Sequence, residues 1–211
     1  MSLGFVGRGF SRDIRNLIVR GFNPCSSGYV FCENAKMHLL HKYAKIERER
    51  RFLLREFPKN VNVLRIRQIA DRYIDGTNLR LRKMTEENAP TAYKLTQKIP
   101  ARDTGGQQSL IVTMYLSEAE FHVFEQLPAH TLSKTRHSVP PFGIDVFHGE
   151  LEGLLLAEAE FDSAAAADAL ILPAFIFKEV SDDDRFTGGH LVRASRQDIE
   201  TALLEYGINL R

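Results

Sequence analysis

The chain has 211 residues, of which 44% are hydrophobic, so it is long enough to bury a substantial core in one large domain. Its formal net charge of +1 gives no global attraction to nucleic acid or to a membrane surface, and no apolar run approaches the ~20 residues that span a bilayer. The sequence therefore predicts no nucleic-acid partner and no membrane association, and any function must come from the local sorting of charges.

The first 42 residues differ in composition from the rest, because they carry scattered arginines and few acids without a sustained hydrophobic period. They favour a disordered N-terminal extension or residues upstream of a start at Met37, and a transit-like segment is a further interpretation. The folded domain is predicted over 43–211. Cys25 and Cys32 match no zinc or redox spacing, which favours reduced thiols in a cytoplasmic protein.

From residue 43 onward, turn signals separate short strand-like runs, and three helices are predicted among them. Residues 188–189, two glycines, are one of these turn signals. The last helix lies near the C-terminus and is predicted to place Leu203 and Leu204 on its apolar side. The predicted N-caps are Ser117, Asp162 or Ser163, and Ser195.

The segment 47–54 alternates charged side chains in the manner of a strand. Successive side chains of a strand point to opposite faces, so Glu47, Glu49 and Arg51 would share one face. Two carboxylates beside a guanidinium pack poorly in a core, but they suit a divalent cation next to a bound phosphate. For this segment alone, a solvated edge strand is the alternative interpretation.

Several later strands also place like charges on one face. Any one of them fits an ordinary half-buried strand with its polar side in water. Together they favour strands that close into a barrel with the charges inside, around a ligand, and with helices on the apolar outside. The predicted inner wall holds the acids Glu47, Glu49, Asp145, Glu158 and Glu160 and the bases Arg51, Arg80, Arg82, Lys98, Lys134 and Arg136, with Glu179 and Lys94 as further candidates.

From about Ile46 to Phe186 the chain resembles the CYTH domain of the triphosphate tunnel metalloenzymes. The hallmark of that family is Glu-x-Glu-x-Lys on the first strand, and Glu47-x-Glu49-x-Arg51 is similar to it with Arg in place of Lys. Further stretches match in the same order: Tyr73, Leu79-Arg80-Leu81-Arg82, Leu95-Thr96-Gln97-Lys98, Lys134-Thr135-Arg136, Ile144-Asp145-Val146-Phe147, Ala157-Glu158-Ala159-Glu160-Phe161 and Glu179-Val180-Ser181.

The resemblance implies an α+β fold, a closed eight-stranded antiparallel β-barrel with helices packed outside, that binds a triphosphate compound with Mg²⁺ or Mn²⁺. It implies that Tyr73 and Lys134 activate the attacking water. It leaves the roles of Asp145 and Glu179 open. The implied metal ligands are Glu47, Glu49, Glu158 and Glu160, and the implied phosphate-binding residues are Arg51, Arg80, Arg82, Lys98, Lys134 and Arg136.

Two departures from the family pattern affect the chemistry. Arg51 keeps the positive charge but stays protonated, so the role of general base passes to Lys134. Neighbouring cations would favour the neutral amine of Lys134, although a pure phosphate clamp is an equal alternative. The strand over 109–116 lacks the acidic alternation of many relatives, which leaves one or two metal positions open.

The predicted function is a metal-dependent triphosphatase, with inorganic triphosphate as its small-molecule substrate. Thiamine triphosphate and nucleoside triphosphates are alternatives, and the absence of Trp removes one stacking platform for an organic group. A class IV-type adenylate cyclase is the second hypothesis. A non-catalytic module that binds polyphosphate or nucleotides is the third.

Overall fold

The computed structural model describes residues 43–100 and 108–210 of the chain. The N-terminal extension predicted over 1–42, with Cys25 and Cys32, lies outside the described residues. The strands are β1 (Lys45–Leu53), β2 (Arg65–Ile74), β3 (Leu79–Glu86), β4 (Ala92–Pro100), β5 (Gln108–Leu116), β6 (Ala129–Val139), β7 (Phe142–Phe147), β8 (Leu155–Phe161) and β9 (Lys178–Glu179). The helices are α1 (Glu118–Glu125), α2 (Ala164–Asp168), α3 (Gly188–Leu191) and α4 (Arg196–Glu205), with 3₁₀ turns at Gly149–Leu151 and Asp184–Phe186.

Eight strands close into an antiparallel barrel, which confirms the predicted fold class. They follow the order β5-β4-β3-β2-β6-β7-β8-β1, and β5 pairs with β1 to complete the ring. The short β9 pairs with the last residues of β1, Phe52 and Leu53, on the edge opposite β8. Among the described residues, no helix is both long enough and apolar enough to cross a membrane.

The alternation of side chains places the charges inside the barrel and most of the apolar residues outside. On β3, Arg80 and Arg82 point inward, whereas Leu81 is fully buried against Phe121 of α1 on the outer side. A second outer cluster surrounds Phe52 and Phe142 and is covered by the loops that follow β1 and precede β9. Period-two patterning therefore determines which face of each strand meets the ligand cavity.

The C-terminal helices pack against one end of the barrel rather than against its side. At that end the inward positions become apolar, with Leu53, Phe147 and Leu156 buried in one cluster. Ile199 and Leu203 of α4 complete this cluster and are each 1% exposed. Apolar burial therefore fixes the C-terminal segment across the barrel end, next to the charged interior.

The predicted helix caps are confirmed at Ser117, Ser163 and Ser195, each of which accepts a backbone N–H bond. Two predictions are wrong. Leu204 is 57% exposed, because adjacent helical residues differ by about 100° and only its neighbour faces the core. Residues 188–189 do not form a turn but open α3.

Candidate active site

A cavity of about 760 Å³ lies within the barrel, bounded by inward side chains of β1–β6 and β8. It brings together all eleven residues that the sequence assigned to the site. These residues are Glu47, Glu49, Arg51, Tyr73, Arg80, Arg82, Lys98, Lys134, Arg136, Glu158 and Glu160. Lys94, a further candidate for the inner wall, instead places its Nζ 4.8 Å from the ring centroid of Tyr115 and does not line the cavity.

Lys98 joins the two glutamates of the first strand. Its Nζ lies 2.5 Å from Oε2 of Glu47 and 3.3 Å from Oε2 of Glu49. Burial alone would lower the pKa of Lys98, but the charges of Glu49 and Glu47 raise it above its ordinary value, so Lys98 stays an ammonium. The ion pair therefore occupies oxygens that the sequence assigned to a metal.

The carboxylates on β1 and β8 are close enough to repel one another. Glu49 pairs across the strands with Glu160, and Arg51 pairs with Glu158. Burial raises the pKa of Glu49 above its ordinary value, and the charge of Glu158 adds to this despite the opposing charge of Lys98. A cation between these carboxylates would relieve their repulsion.

Lys134 and Arg136 on β6 share the carboxylate of Asp145, which is fully buried on β7. Arg136 donates from Nε to Oδ1 and from NH2 to Oδ2, both at 2.6 Å, and it also binds Glu158. Burial would raise the pKa of Glu158, but Lys134 and Arg136 lower it well below its ordinary value. The charges nearest to Lys134 are thus the carboxylates of Asp145 and Glu158, and Arg136, the cation expected beside it, binds the same two groups.

A similar arrangement binds the arginines of β3 to Asp71 on β2, a residue that the sequence analysis missed. Arg82 donates to Oδ1 from Nε and to Oδ2 from NH2, both at 2.6 Å. Nε of Arg80 lies 3.9 Å from Oδ1 of the same carboxylate. Burial would raise the pKa of Asp71, but the charge and hydrogen bonds of Arg82 lower it below its ordinary value. Asp71 could have been found from the sequence, because it alternates with Tyr73 on the inner face.

Arg51 is held by the loop after β9, which explains how an arginine fits this position. Its NH2 donates to the carbonyl of Ser181 at 2.7 Å, and its backbone N–H donates to Oγ of Ser181. Glu179 was a candidate for the inner wall, and that prediction is wrong. Its carboxylate accepts two bonds from Arg50, an outward residue of β1, and one from the Ser181 hydroxyl. Glu179 therefore lies behind Arg51 rather than in the cavity.

Tyr73 and Lys134 line the same cavity but are not strand neighbours. Lys134 pairs with Ile69, four residues before Tyr73 on β2, which separates them by about 13 Å along the strand. The Tyr73 hydroxyl instead lies beside Arg80, whose charge acts on it. Burial raises the pKa of Tyr73 above its ordinary value, so the hydroxyl stays protonated at neutral pH.

The C-terminal segment forms one wall of the cavity, a contribution that the sequence analysis did not find. It contributes both charged and small side chains: Asp184, Arg185, Thr187, Gly188, Gly189, His190, Arg193, Ala194, Asp198, Ile199 and Ala202. No local pattern indicates this role, because it depends on how α4 packs across the barrel end.

The glutamates fit a divalent metal by their chemistry. In the part of the chain that the structure describes, no three acidic, histidine or cysteine side chains already form a ligand group. The reason is that Lys98 and Arg136 bind three of the four glutamates, Glu47, Glu49 and Glu158, while Glu160 is exposed at the cavity. Carboxylate oxygens that repel one another in a buried site match the hard oxygen ligands that Mg²⁺ and Mn²⁺ prefer.

Comparison with known proteins gives one curated relative and several solved structures. No family model matches the chain. The crystal structure of the inorganic triphosphatase NE1496 is 24% identical, with a TM-score of 0.46, and the match covers 70% of this chain and 95% of that one. The PH1819 protein from Pyrococcus horikoshii is 17% identical, with a TM-score of 0.43 and coverage of 78% and 92%.

The curated relative is an inorganic triphosphatase from Nitrosomonas europaea. It is 32% identical to this chain over 148 residues. The match covers 66% of this chain and 92% of the relative, so nearly the whole length of the relative is represented. The chain therefore belongs to the inorganic triphosphatase family.

Proposed function

We propose that this protein is a metal-dependent triphosphatase that hydrolyses inorganic triphosphate, with Mg²⁺ or Mn²⁺ as its cofactor. The observation that carries the proposal is the cavity within the barrel, to which the strands contribute six basic side chains and four glutamates. Membership of a family whose Nitrosomonas europaea member is an inorganic triphosphatase supports it. We also propose that the family is the CYTH domain group, because of the Glu47-x-Glu49-x-Arg51 motif on β1.

The charges around the cavity nearly cancel before a ligand enters. The barrel strands contribute six bases, four glutamates and the buried carboxylates of Asp71 and Asp145, and the C-terminal wall adds two arginines and two aspartates. A triphosphate carries several negative charges. Its binding is therefore most favourable if a cation enters with it or if the bases leave their carboxylate partners to bind it. This balance supports uptake of triphosphate together with a divalent cation.

The proposed metal ligands are the four glutamates of β1 and β8. The bound ion would supply electrostatic neutralisation of the phosphate oxygens. Arg51, Arg80, Lys98 and the bases of β6 would hold the phosphates and stabilise the charge that develops as the terminal phosphoryl group leaves. The contacts of Lys134 with Asp145 and Glu158 support a clamp role for this side chain.

The lining supports an inorganic substrate over an organic triphosphate. Among the described residues that line the cavity, Tyr73 and His190 are the two with rings. The Tyr73 ring is packed against Gly188, so it is poorly placed to stack on a base or a thiamine.

The test is incubation of the protein with inorganic triphosphate, thiamine triphosphate or ATP, each with Mg²⁺, Mn²⁺ or EDTA. We expect phosphate release from inorganic triphosphate that EDTA abolishes. Glu49→Gln should lose at least about 100-fold in kcat while it stays folded, whereas the exposed Glu87→Gln should match the wild type. Cyclic AMP and pyrophosphate from ATP would instead establish the cyclase, and tight binding without turnover would establish a binding module.

A further inference from the structure

Each basic pair on the barrel wall has one member bound bidentately by a buried aspartate of the neighbouring strand. On β3 and β2, the pair is Arg82 with Asp71, and on β6 and β7 it is Arg136 with Asp145. In both cases the arginine and the aspartate are direct cross-strand partners. The aspartates are 1% and 0% exposed and do not line the cavity, so they bind the arginines on the side away from the cavity.

The two arginines of β3 are consequently not equivalent. Asp71 binds the edge of the Arg82 guanidinium that carries Nε and NH2, and the Arg82 side chain is 11% exposed. Arg80 has no such bond, its side chain is 23% exposed, and its buried Nε has no hydrogen-bond partner. Because Arg80 lines the cavity and none of its guanidinium nitrogens is bound bidentately by a residue that the structure describes, its guanidinium can donate to an anion oxygen there.

We infer that Asp71 is a positioning residue that fixes Arg82 in one orientation and leaves Arg80 as the arginine of β3 that donates to a phosphate. This inference rests on the proposed function and assigns separate roles to the two arginines. The Asp71 charge also offsets part of the positive charge of the two arginines. It therefore weakens ground-state binding of the anion while it holds Arg82 in one orientation. We therefore expect Asp71 to lower the affinity for the anion and to raise kcat.

The test uses Asp71→Asn, with Asp75→Asn as a matched control, because Asp75 is an exposed carboxylate that directly follows the same strand. Isothermal titration with inorganic triphosphate in EDTA measures binding without metal, and steady-state kinetics with Mg²⁺ measures turnover. For Asp71→Asn we expect about threefold tighter binding in EDTA and a kcat reduced about tenfold or more, whereas Asp75→Asn should match the wild type. A folded Asp71→Asn protein with unchanged kcat, or with weaker binding, overturns the inference.

If Asp71→Asn does not fold, the double variant Asp71→Asn/Arg82→Gln replaces the ion pair by an amide pair without a net change in charge. We expect its KM within about threefold of the wild type, because Arg80 remains, and its kcat at least about tenfold lower. Unchanged kcat in this variant overturns the inference. Failure of the wild type to release phosphate would refute the proposed function instead, and the titration in EDTA would still test the role of Asp71.

Discussion

Tyr73 and Gly188 lie in contact across the cavity wall. A β-carbon on residue 188 would overlap the hydroxyl oxygen of Tyr73 and would lie 3.1 Å from its Cζ atom. Gly188 is the first residue of α3, so the start of this helix can lie against the ring only because it has no side chain. The contact couples the C-terminal segment to a residue of β2 whose hydroxyl lies beside Arg80.

Gly188→Ala should therefore lower both stability and activity. We expect a loss of about 1–3 kcal/mol in the free energy of unfolding, because the ring or α3 must move, and about a tenfold loss in kcat, because both line the cavity next to Arg80. Urea unfolding and triphosphate hydrolysis measure the two effects.

Two further variants control this experiment. At residue 189 an added β-carbon meets no atom within 4 Å, so Gly189→Ala should leave the free energy of unfolding within about 0.5 kcal/mol of the wild type. In Gly188→Ala/Tyr73→Phe the overlapping hydroxyl is gone, so most of the lost stability should return. A double variant no more stable than Gly188→Ala would contradict the contact.

The side-chain alternation within the strands was predictable from the sequence. The period of a strand is two, so Glu47, Glu49 and Arg51 had to share a face, and the same rule placed Arg80 and Arg82 opposite Leu81. Like charges on one face then indicated an interior built for a ligand. These local rules were enough to bring the candidate residues to one cavity.

The partners of these charges were not predictable in the same way. Glu179 lies in a two-residue strand after a loop, so no alternation fixed its face, and it turned out to bind Arg50. The wall formed by α3 and α4 depends on the apolar cluster of the barrel end, which joins residues more than 100 positions apart. Local patterns do not encode such tertiary contacts, and for this reason the sequence did not show that carboxylates of two other strands, Asp145 and Glu158, lie beside Lys134 as well as the expected Arg136.

Lys98→Gln should separate metal binding from substrate binding. Lys98 occupies oxygens of Glu47 and Glu49, so its removal should make Mn²⁺ bind about tenfold more tightly in the absence of triphosphate. The same change removes a phosphate-binding cation, so kcat/KM for triphosphate should fall by about tenfold or more. Calorimetric titration of Mn²⁺ and steady-state kinetics measure the two quantities.

Lys94→Gln is the matched control, because Lys94 lies on the same strand but does not line the cavity. Its Mn²⁺ affinity and its kcat/KM should stay within about twofold of the wild type. Weaker Mn²⁺ binding by Lys98→Gln would contradict the assignment of Glu47 and Glu49 as metal ligands.

Glu179→Gln should affect stability and leave catalysis intact. Its carboxylate binds Arg50 in a partly exposed pair, with side chains 33% and 18% exposed, so we expect a loss of about 1 kcal/mol in the free energy of unfolding. Because Glu179 lies outside the barrel, kcat should stay within about twofold of the wild type. A large loss of kcat with unchanged stability would show that Glu179 acts in the active site.

Asp183 should make the stability of the C-terminal wall depend on pH. Its carboxylate accepts bonds from the Arg185 side chain and from the hydroxyl of Tyr206, the residue that ends α4. The hydrogen bonds from Arg185 lower the pKa of Asp183 below its ordinary value of 3.8, against burial and with help from Tyr206. A lowered pKa means that the folded state favours the charged carboxylate, so this stabilisation is complete above the unfolded pKa and is lost as pH falls through the folded pKa.

Asp183→Asn should accordingly destabilise the protein by about 1 kcal/mol near pH 7, since the group is partly exposed and an amide keeps some of the hydrogen bonding. The difference between the two proteins should stay constant at pH values well above 3.8 and shrink as the pH falls through the lowered pKa of the folded state. Urea unfolding of both proteins at a series of pH values between neutral and acidic conditions measures this difference in the free energy of unfolding. A difference that persists unchanged at the lowest pH would mean that Asp183 stabilises α4 by shape rather than by charge.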